Sequence, residues 1–303
     1  MLNRRSFLGG LSTLPLLGLA PSALAAPNIT FPIPASGEAI PAVGLGSWLT
    51  FDVMDIGDRR QRCQEVIGAF FDRGGAMIDS SPMYGFAQAA IGQALDGLAN
   101  DQALFSATKV WTPGAAVGRF QMNNALESWG LDTFDLLHVH NMVDWASHLP
   151  WMNEWKQEGR IRYTGITTSH GRRHDAMATV IRDQPFDFVQ FTYNLTHREA
   201  EERLLPLAQD HGKAVVINRP FDGGHLFDDM DDKPLPDWAG EIACENWAQY
   251  FLKFVISHPA VTCAIPATSR VDHLHENMGA LHGPLPDEAM RREMVAYFNA
   301  VKT

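Results

Sequence analysis

The sequence predicts an α/β protein folded as a parallel (β/α)8 TIM barrel with an N-terminal capping hairpin. Three observations carry that expectation. Short apolar runs alternate with helical patterns along the chain, strand then helix, eight times over. No low-complexity linker or composition break divides the 303 residues. Polar residues close several of the apolar runs, which is where such a barrel places its chemistry. With 46% hydrophobic and 19% charged residues, the chain has the apolar content for one large core, which excludes disordered and low-complexity classes.

The N-terminus reads as an address. Asn3-Arg4-Arg5-Ser6-Phe7-Leu8 leads into a modest apolar run to about Ala20, and Ala23-Leu24-Ala25 offers a small-residue cleavage site. A charged flank, a short apolar stretch and small residues make a secretory signal over residues 1–25, and the adjacent arginines favour the twin-arginine (Tat) type. The run is too short for a bilayer span, and Gly9, Gly10, Pro15 and Gly18 interrupt it. Cleavage takes two arginines and no acid, moving the net charge from −11 to −13. The mature domain, 26–303, is expected to be soluble and without a membrane span.

After the signal, residues 29–41 hold Ser36-Gly37-Glu38 between apolar flanks, a hairpin that caps one end of the barrel. The strands follow at 42–46, 76–79, 104–109, 134–140, 161–166, 187–191, 214–218 and 261–265. Periodic helical segments lie at 60–73, 87–98, 117–129, 145–158, 173–182, 198–211 and 244–257, with a last helix near 287–301. No long C-terminal lid is expected after that helix. Gly74-Gly75 reads as a helix C-cap. The mixed charge of residues 199–207 reads as a solvated outer face, and the acidic stretch 227–238 as a solvated insertion. That stretch lacks the glycine and terminal glutamate of a calcium loop.

The acidic balance, pI about 5.5, gives nucleic-acid binding little electrostatic support. Three scattered cysteines, Cys63, Cys244 and Cys263, argue against a disulfide framework or a cysteine metal site. Cys263 reads as a small core hydrophobe.

At the strand ends stand Asp79, followed by Tyr84; Lys109, followed by Trp111; and His140, followed by Asn141. A lysine closing an apolar strand needs a partner, because burying an unpaired ammonium costs several kcal/mol, and Asp79 on the next strand supplies one. A nearby Lys⁺ is expected to stabilise tyrosinate and lower the Tyr84 pKa from its usual value near 10. A tyrosine tuned in this way, beside a histidine that hydrogen-bonds the reacting oxygen, suits a carbonyl gaining hydride and proton, or an alcohol losing them. His138, two residues before His140, faces the barrel interior and reads as a hydrogen-bonded core residue. The His138/His140 pair lacks a third ligand at zinc spacing.

The chain resembles the aldo/keto reductases over essentially everything after the signal. The matching pieces run in order: Gly44-Leu45-Gly46-Ser47-Trp48; Ile78-Asp79 through Tyr84-Gly85; Thr108-Lys109-Val110-Trp111; Asp135-Leu136-Leu137-His138-Val139-His140-Asn141; Gly159-Arg160-Ile161-Arg162 with Gly165-Ile166-Thr167; Val189-Gln190-Phe191; Arg219-Pro220-Phe221 with Gly223-Gly224; and Ile265-Pro266-Ala267-Thr268-Ser269-Arg270 with Glu276-Asn277. Each is weak alone; eight in order, with an Asp five residues before a Tyr, are specific.

The resemblance implies Tyr84 as general acid/base, Lys109 as its tuner, Asp79 as the holder of Lys109 and His140 as the residue orienting the carbonyl. It implies NADP (NADPH) as cofactor, held by Gly46, Ser47, Thr167, Gln190, Arg219, Pro220, Phe221, Pro266, Thr268, Arg270 and Asn277. Arg270 and Thr268 match the grip on the 2′-phosphate, which favours NADP over NAD. Trp48, Trp111 and Asn141 match the substrate-pocket wall. Two positions depart from the family pattern. Thr167-Thr168 replaces a Ser-Asn pair, and Asn218 stands where an aromatic ring often stacks on the nicotinamide. Loading before export through the Tat machinery implies tight cofactor retention. Two alternatives stand beside this reading: a Schiff-base lyase using Lys109 as nucleophile, and an exported NADP-binding protein with little turnover.

Overall fold

The computed structural model describes residues 28–54, 58–228, 230 and 232–302, and the expected signal segment 1–25 lies outside them. The chain opens with an antiparallel pair, β1 (Thr30–Pro32) and β2 (Ala39–Pro41), in register Phe31↔Ile40. Eight parallel strands follow: β3 (Leu45–Gly46), β4 (Met77–Asp79), β5 (Phe105–Val110), β6 (Phe134–Val139), β7 (Ile161–Thr167), β8 (Phe188–Thr192), β9 (Ala214–Asn218) and β10 (Cys263–Ala264), paired in chain order. Each expected strand is present at its expected place, because strands buried on both faces read as apolar runs.

The first and last strands meet through a narrow seam. Gly44 N donates to Ala264 O at 2.8 Å, Ala264 N to Ala42 O at 2.9 Å, and Gly46 N to Pro266 O at 2.9 Å. Two single bridges, Val43↔Ala264 and Gly46↔Ala267, mark the same join. Glycine is needed at this seam. A Cβ at Gly46 would stand 2.8 Å from Ile265 O, and one at Gly44 2.9 Å from Met77 O.

The hairpin closes the N-terminal end of the barrel, as expected. Ile33 and Ile40 are buried among Met77, Phe105, Leu136 and Tyr163 in the lumen; fully burying an isoleucine contributes about 2 kcal/mol. Glu38 pairs with Arg162, and Tyr163 OH lies 2.7 Å from Ser36 Oγ, so polar bonds fix the plug around its apolar tip.

The helices between the strands are α1 (Asp58–Asp72), α2 (Ala87–Asp96), α3 (Ala115–Trp129), α4 (Trp145–Gln157), α5 (His174–Asp183), α6 (Glu199–Glu202), α7 (Leu204–Asp210), α8 (His225–Asp228) and α9 (Trp247–Ile256), and α10 (Val271–Gly279) and α11 (Glu288–Val301) follow the last strand. Gly74, at φ +73°, ends α1 as the expected C-cap: its N–H and that of Gly75 donate to Phe71 O and Phe70 O.

Two expectations change. The single helix expected over 198–211 is split at Arg203. Pro206 has no N–H to extend a ladder from α6, so it sits in the first turn of a new helix, where none is needed. The expected solvated outer face is present, with Glu199, Glu202 and Arg203 exposed, while Ala200, Leu204, Leu205 and Ala208 are buried on the inner side. The stretch 227–238 is solvated at Asp228, Asp232 and Asp237 as expected, but it is also anchored: Met230 is buried, and Phe227, Leu235 and Trp238 pack on the core.

Candidate active site

The site sits at the C-terminal rim, where β4, β5 and β6 end side by side. Asp79 closes β4, Lys109 is the penultimate residue of β5, and His140 follows β6. Asp79 is 2% exposed and Lys109 0%. Lys109 Nζ donates to Asp79 Oδ1 in a short ion pair and to Ser80 O at 2.8 Å. Gln190 Nε2 donates to the other Asp79 oxygen at 3.1 Å, and Ser47 Oγ to the Asp79 carbonyl at 2.9 Å. Burial pushes Asp79 up and Lys109 down, and their mutual attraction opposes both shifts.

Tyr84 stands over this pair. Its ring centroid is 5.2 Å from Lys109 Nζ, and its edge-to-face contact with His140 has centroids 5.7 Å apart. The expectation of a lowered Tyr84 pKa is corrected. Burial and the Asp79 carboxylate both push the phenol above its ordinary value. The lysine charge expected to stabilise tyrosinate is held by Asp79, so Tyr84 stays a protonated donor.

His140 is held down to about 3 by burial and by the Lys109 charge, so its imidazole is neutral near pH 7. Its Nδ1 lies 2.8 Å from Ser81 Oγ, which leaves Nε2 for a reacting oxygen when Ser81 donates. Ser81 was not singled out from sequence; its signal is a hydroxyl in the short span between Asp79 and Tyr84.

Tyr84 and His140 open into a cleft of about 280 Å³. Its lining includes Gly46, Ser47 and Trp48 after β3, Asn141, Thr167 and Gln190 from the ends of β6 to β8, and Arg219, Pro220, Phe221 and Pro266 from the last two strand ends. Lys109 does not reach that surface, which removes the geometry a Schiff-base nucleophile requires. Arg219 carries φ +50°, donates to Asp222 Oδ1 at 3.0 Å, and holds its guanidinium 5.8 Å from the Trp48 ring across the cleft. Gly223 and Gly224, at φ +71° and +105°, turn the backbone along the wall without a side chain in the way.

The two departures have visible partners. Asn218 Nδ2 donates to Thr168 O at 2.9 Å, and its Oδ1 accepts from Thr192 Oγ1 at 2.7 Å, lacing three strand ends together. Thr168 Oγ1 donates to Arg172 O at 2.6 Å, away from the main cleft. Asn141 N donates to Thr167 Oγ1 at 2.9 Å.

The expected adenosine-side residues lie beyond the cleft lining. Thr268 Oγ1 accepts from Arg270 N at 3.1 Å, and Asn277 is buried on α10. Arg270 is exposed, and both its Nε and a terminal nitrogen bond Asp272, so its charge already has a partner that sequence reasoning missed. Trp48 and Trp111 are 37% and 43% exposed, so neither is a core residue. Trp111 lies 6.5 Å from His140, ring to ring, but lines a neighbouring cavity rather than the cleft. His138 is fully buried as expected but not hydrogen-bonded: neither ring nitrogen has a partner among the described residues. Gly165 makes room for it, since a Cβ there would stand 2.4 Å from the imidazole.

Comparison with known proteins fits this geometry. The family profile described as Aldo/keto reductase family matches residues 42–293. The aldo-keto reductase YhdN of Bacillus subtilis is 29% identical over 58% of this chain and 56% of its own length. The methylglyoxal reductase YeaE of Escherichia coli is 27% identical over 81% of this chain and 87% of its own length. An aldo-keto reductase of Klebsiella pneumoniae, solved in complex with NADPH, superposes with a TM-score of 0.75 at 25% identity, covering 90% of this chain and 96% of that one. With the profile matching well over half of its length, this chain belongs to the aldo/keto reductase family and is an oxidoreductase.

Proposed function

We propose that the protein is an NADP-dependent oxidoreductase that reduces an aldehyde or ketone to an alcohol, or runs the reverse reaction, with Tyr84 as general acid/base. The carrying observation is the fully buried Lys109–Asp79 pair beneath Tyr84, with neutral His140 beside it at the head of the cleft.

The cleft's donor set fits a dinucleotide. Arg219 and the side-chain-free backbone of Gly223 and Gly224 suit a pyrophosphate, while Thr167 and Gln190 offer polar atoms to a nicotinamide amide. Trp48 and the Pro220-Phe221 stretch supply apolar wall, and Thr268, Arg270 and Asn277 extend the reading toward the adenosine end. When bound, the nicotinamide supplies or accepts the hydride.

The chain's own groups handle the proton. His140 Nε2 orients the carbonyl oxygen with a neutral hydrogen bond, free of competing charge chemistry. Tyr84 gives its proton to the oxygen as alkoxide character develops. A phenol kept protonated is the form that reduction needs. Lys109 and Asp79 act as positioning residues that fix the floor under the Tyr84 ring.

Export belongs to the same proposal. Residues 1–25 act as a Tat signal, and the folded protein is carried to the periplasm or exterior with its cofactor tightly bound. Mass measurement of the N-terminus from fractionated cells tests that part.

The test of the chemistry is Tyr84→Phe. It is expected to lower reductive kcat by about 10²–10⁴-fold while NADPH still binds. Wild-type reduction should continue without loss through pH 10, because the phenol is raised above its ordinary value. Full activity in Tyr84→Phe, or a fall in rate near pH 8–9 that this variant abolishes, overturns the assignment.

A further inference from the structure

Across Asn141 from the main cleft lies a second cavity, also about 280 Å³. Trp111, Asn141 and Val143 form one wall. The loop after β7 forms the other, through Thr168, Ser169, Arg172 and Arg173. Two of these residues carry guanidinium groups and none carries a carboxylate. Asn141 and Ser169 line both cavities, which places the second directly beside the first.

The loop is a built feature. Its Thr168 Oγ1 donates to Arg172 O at 2.6 Å, and His170 N donates to Thr192 Oγ1 at 2.9 Å. His170 and Arg173 hold φ of 58° and 57°, left-handed values that cost a non-glycine residue energy and persist where surrounding bonds enforce them. The product of that strain is the presentation of two adjacent arginines.

Their charges are uncommitted. Arg173 Nη1 donates to Asn141 O at 2.9 Å, and Arg173 forms no ion pair among the described residues. The Arg172 guanidinium has no hydrogen bond or ion pair among the described residues. By contrast Arg162, Arg203, Arg219, Arg270 and Arg291 are each paired with an acid. In a chain of net charge −11, two unneutralised guanidiniums in an acid-free cavity beside a reaction centre point to an anionic ligand.

We propose that this cavity is the tail subsite of the active site, and that the preferred substrate is an oxo acid. Its carbonyl sits at Tyr84 and His140, its chain passes along Trp111, and its carboxylate is bound by Arg172 and Arg173. Trp111, within 6.5 Å of His140 ring to ring, gives the connecting chain an apolar wall. The planar guanidinium fork matches a carboxylate. This inference rests on the reductase reading above and adds the substrate class.

The experiment compares 4-carboxybenzaldehyde with its neutral methyl ester, methyl 4-formylbenzoate, as substrates with NADPH. Wild-type protein is expected to favour the acid in kcat/KM. Arg172→Glu is expected to cut the acid-to-ester ratio about tenfold or more, through KM rather than kcat, and raised salt to erode the wild-type preference. Matched melting temperatures show that the variant folds. Ester reduction with no preference for the acid, or a ratio that Arg172→Glu leaves unchanged, sinks this inference alone. A stronger preference for 4-formylphenyl phosphate overturns the carboxylate assignment. Failure of both aldehydes to consume NADPH overturns the reductase reading and this inference with it.

Discussion

Replacing Lys109 with methionine isolates what the buried pair contributes. The substitution leaves the Asp79 carboxylate, 2% exposed, with Gln190 Nε2 at 3.1 Å as its one remaining side-chain donor among the described residues. Removing one partner of a buried pair costs about 3–5 kcal/mol, because the remaining charge is stranded away from water. For a chain of this size each kcal/mol moves the melting temperature by about 2–4 °C, so Lys109→Met should melt roughly 10 °C below wild type. Adding Asp79→Asn removes the stranded charge at almost constant volume. The double variant should therefore recover most of the loss, to within about 2 kcal/mol of wild type, while remaining catalytically poor. Circular dichroism melts at pH 7, backed by denaturant titrations of all four species of the cycle, give the coupling directly. A single variant that melts with wild type, or a double variant no more stable than Lys109→Met, refutes the stranded-charge argument.

Two further outcomes follow from neighbouring groups. His140 titrates near 3 in the folded chain against 6.5 ordinarily, so between those values the unfolded chain binds more protons. Stability therefore rises with pH across that window and is lost as pH falls through it, by on the order of 4 kcal/mol at pH 3. His140→Asn should flatten this acid limb in pH-dependent unfolding, and an unchanged limb would contradict the shift. Asp272→Asn frees the Arg270 guanidinium from its exposed pair. NADPH binding followed by tryptophan fluorescence should tighten roughly two- to fivefold, and unaltered affinity would remove Arg270 from the phosphate grip.

Much of the architecture was readable because the strands are buried on both faces and so read as apolar runs. The strand-end triad was readable for the converse reason: Asp79, Lys109 and His140 interrupt those runs with groups that cannot be buried unpartnered. What stayed hidden depends on geometry that composition does not encode. The α10 helix carries little apolar signal, since its buried face is Leu274, Asn277 and Met278. The direction of the Tyr84 shift turned on which neighbour takes the single lysine charge, and Asp79 takes it. The Arg270–Asp272 pair went unread, because an acid two residues on can turn toward the guanidinium or away from it, and only the structure shows that it turns toward it. The Arg172 loop carried no periodic signal, because its form comes from left-handed backbone and three hydrogen bonds.

The seam that joins the first barrel strand to the last has a kinetic meaning. Gly44 and Ala264 are neighbours in space but lie at opposite ends of the sequence, so a chain emerging from the ribosome cannot close the barrel until nearly all of it has been made. Until then the sheet has two bare edges, β3 and whichever strand was synthesised last, each offering unpaired backbone to other chains. Contacts of such long sequence separation form slowly. A truncation before residue 263 should therefore aggregate rather than yield a smaller folded unit.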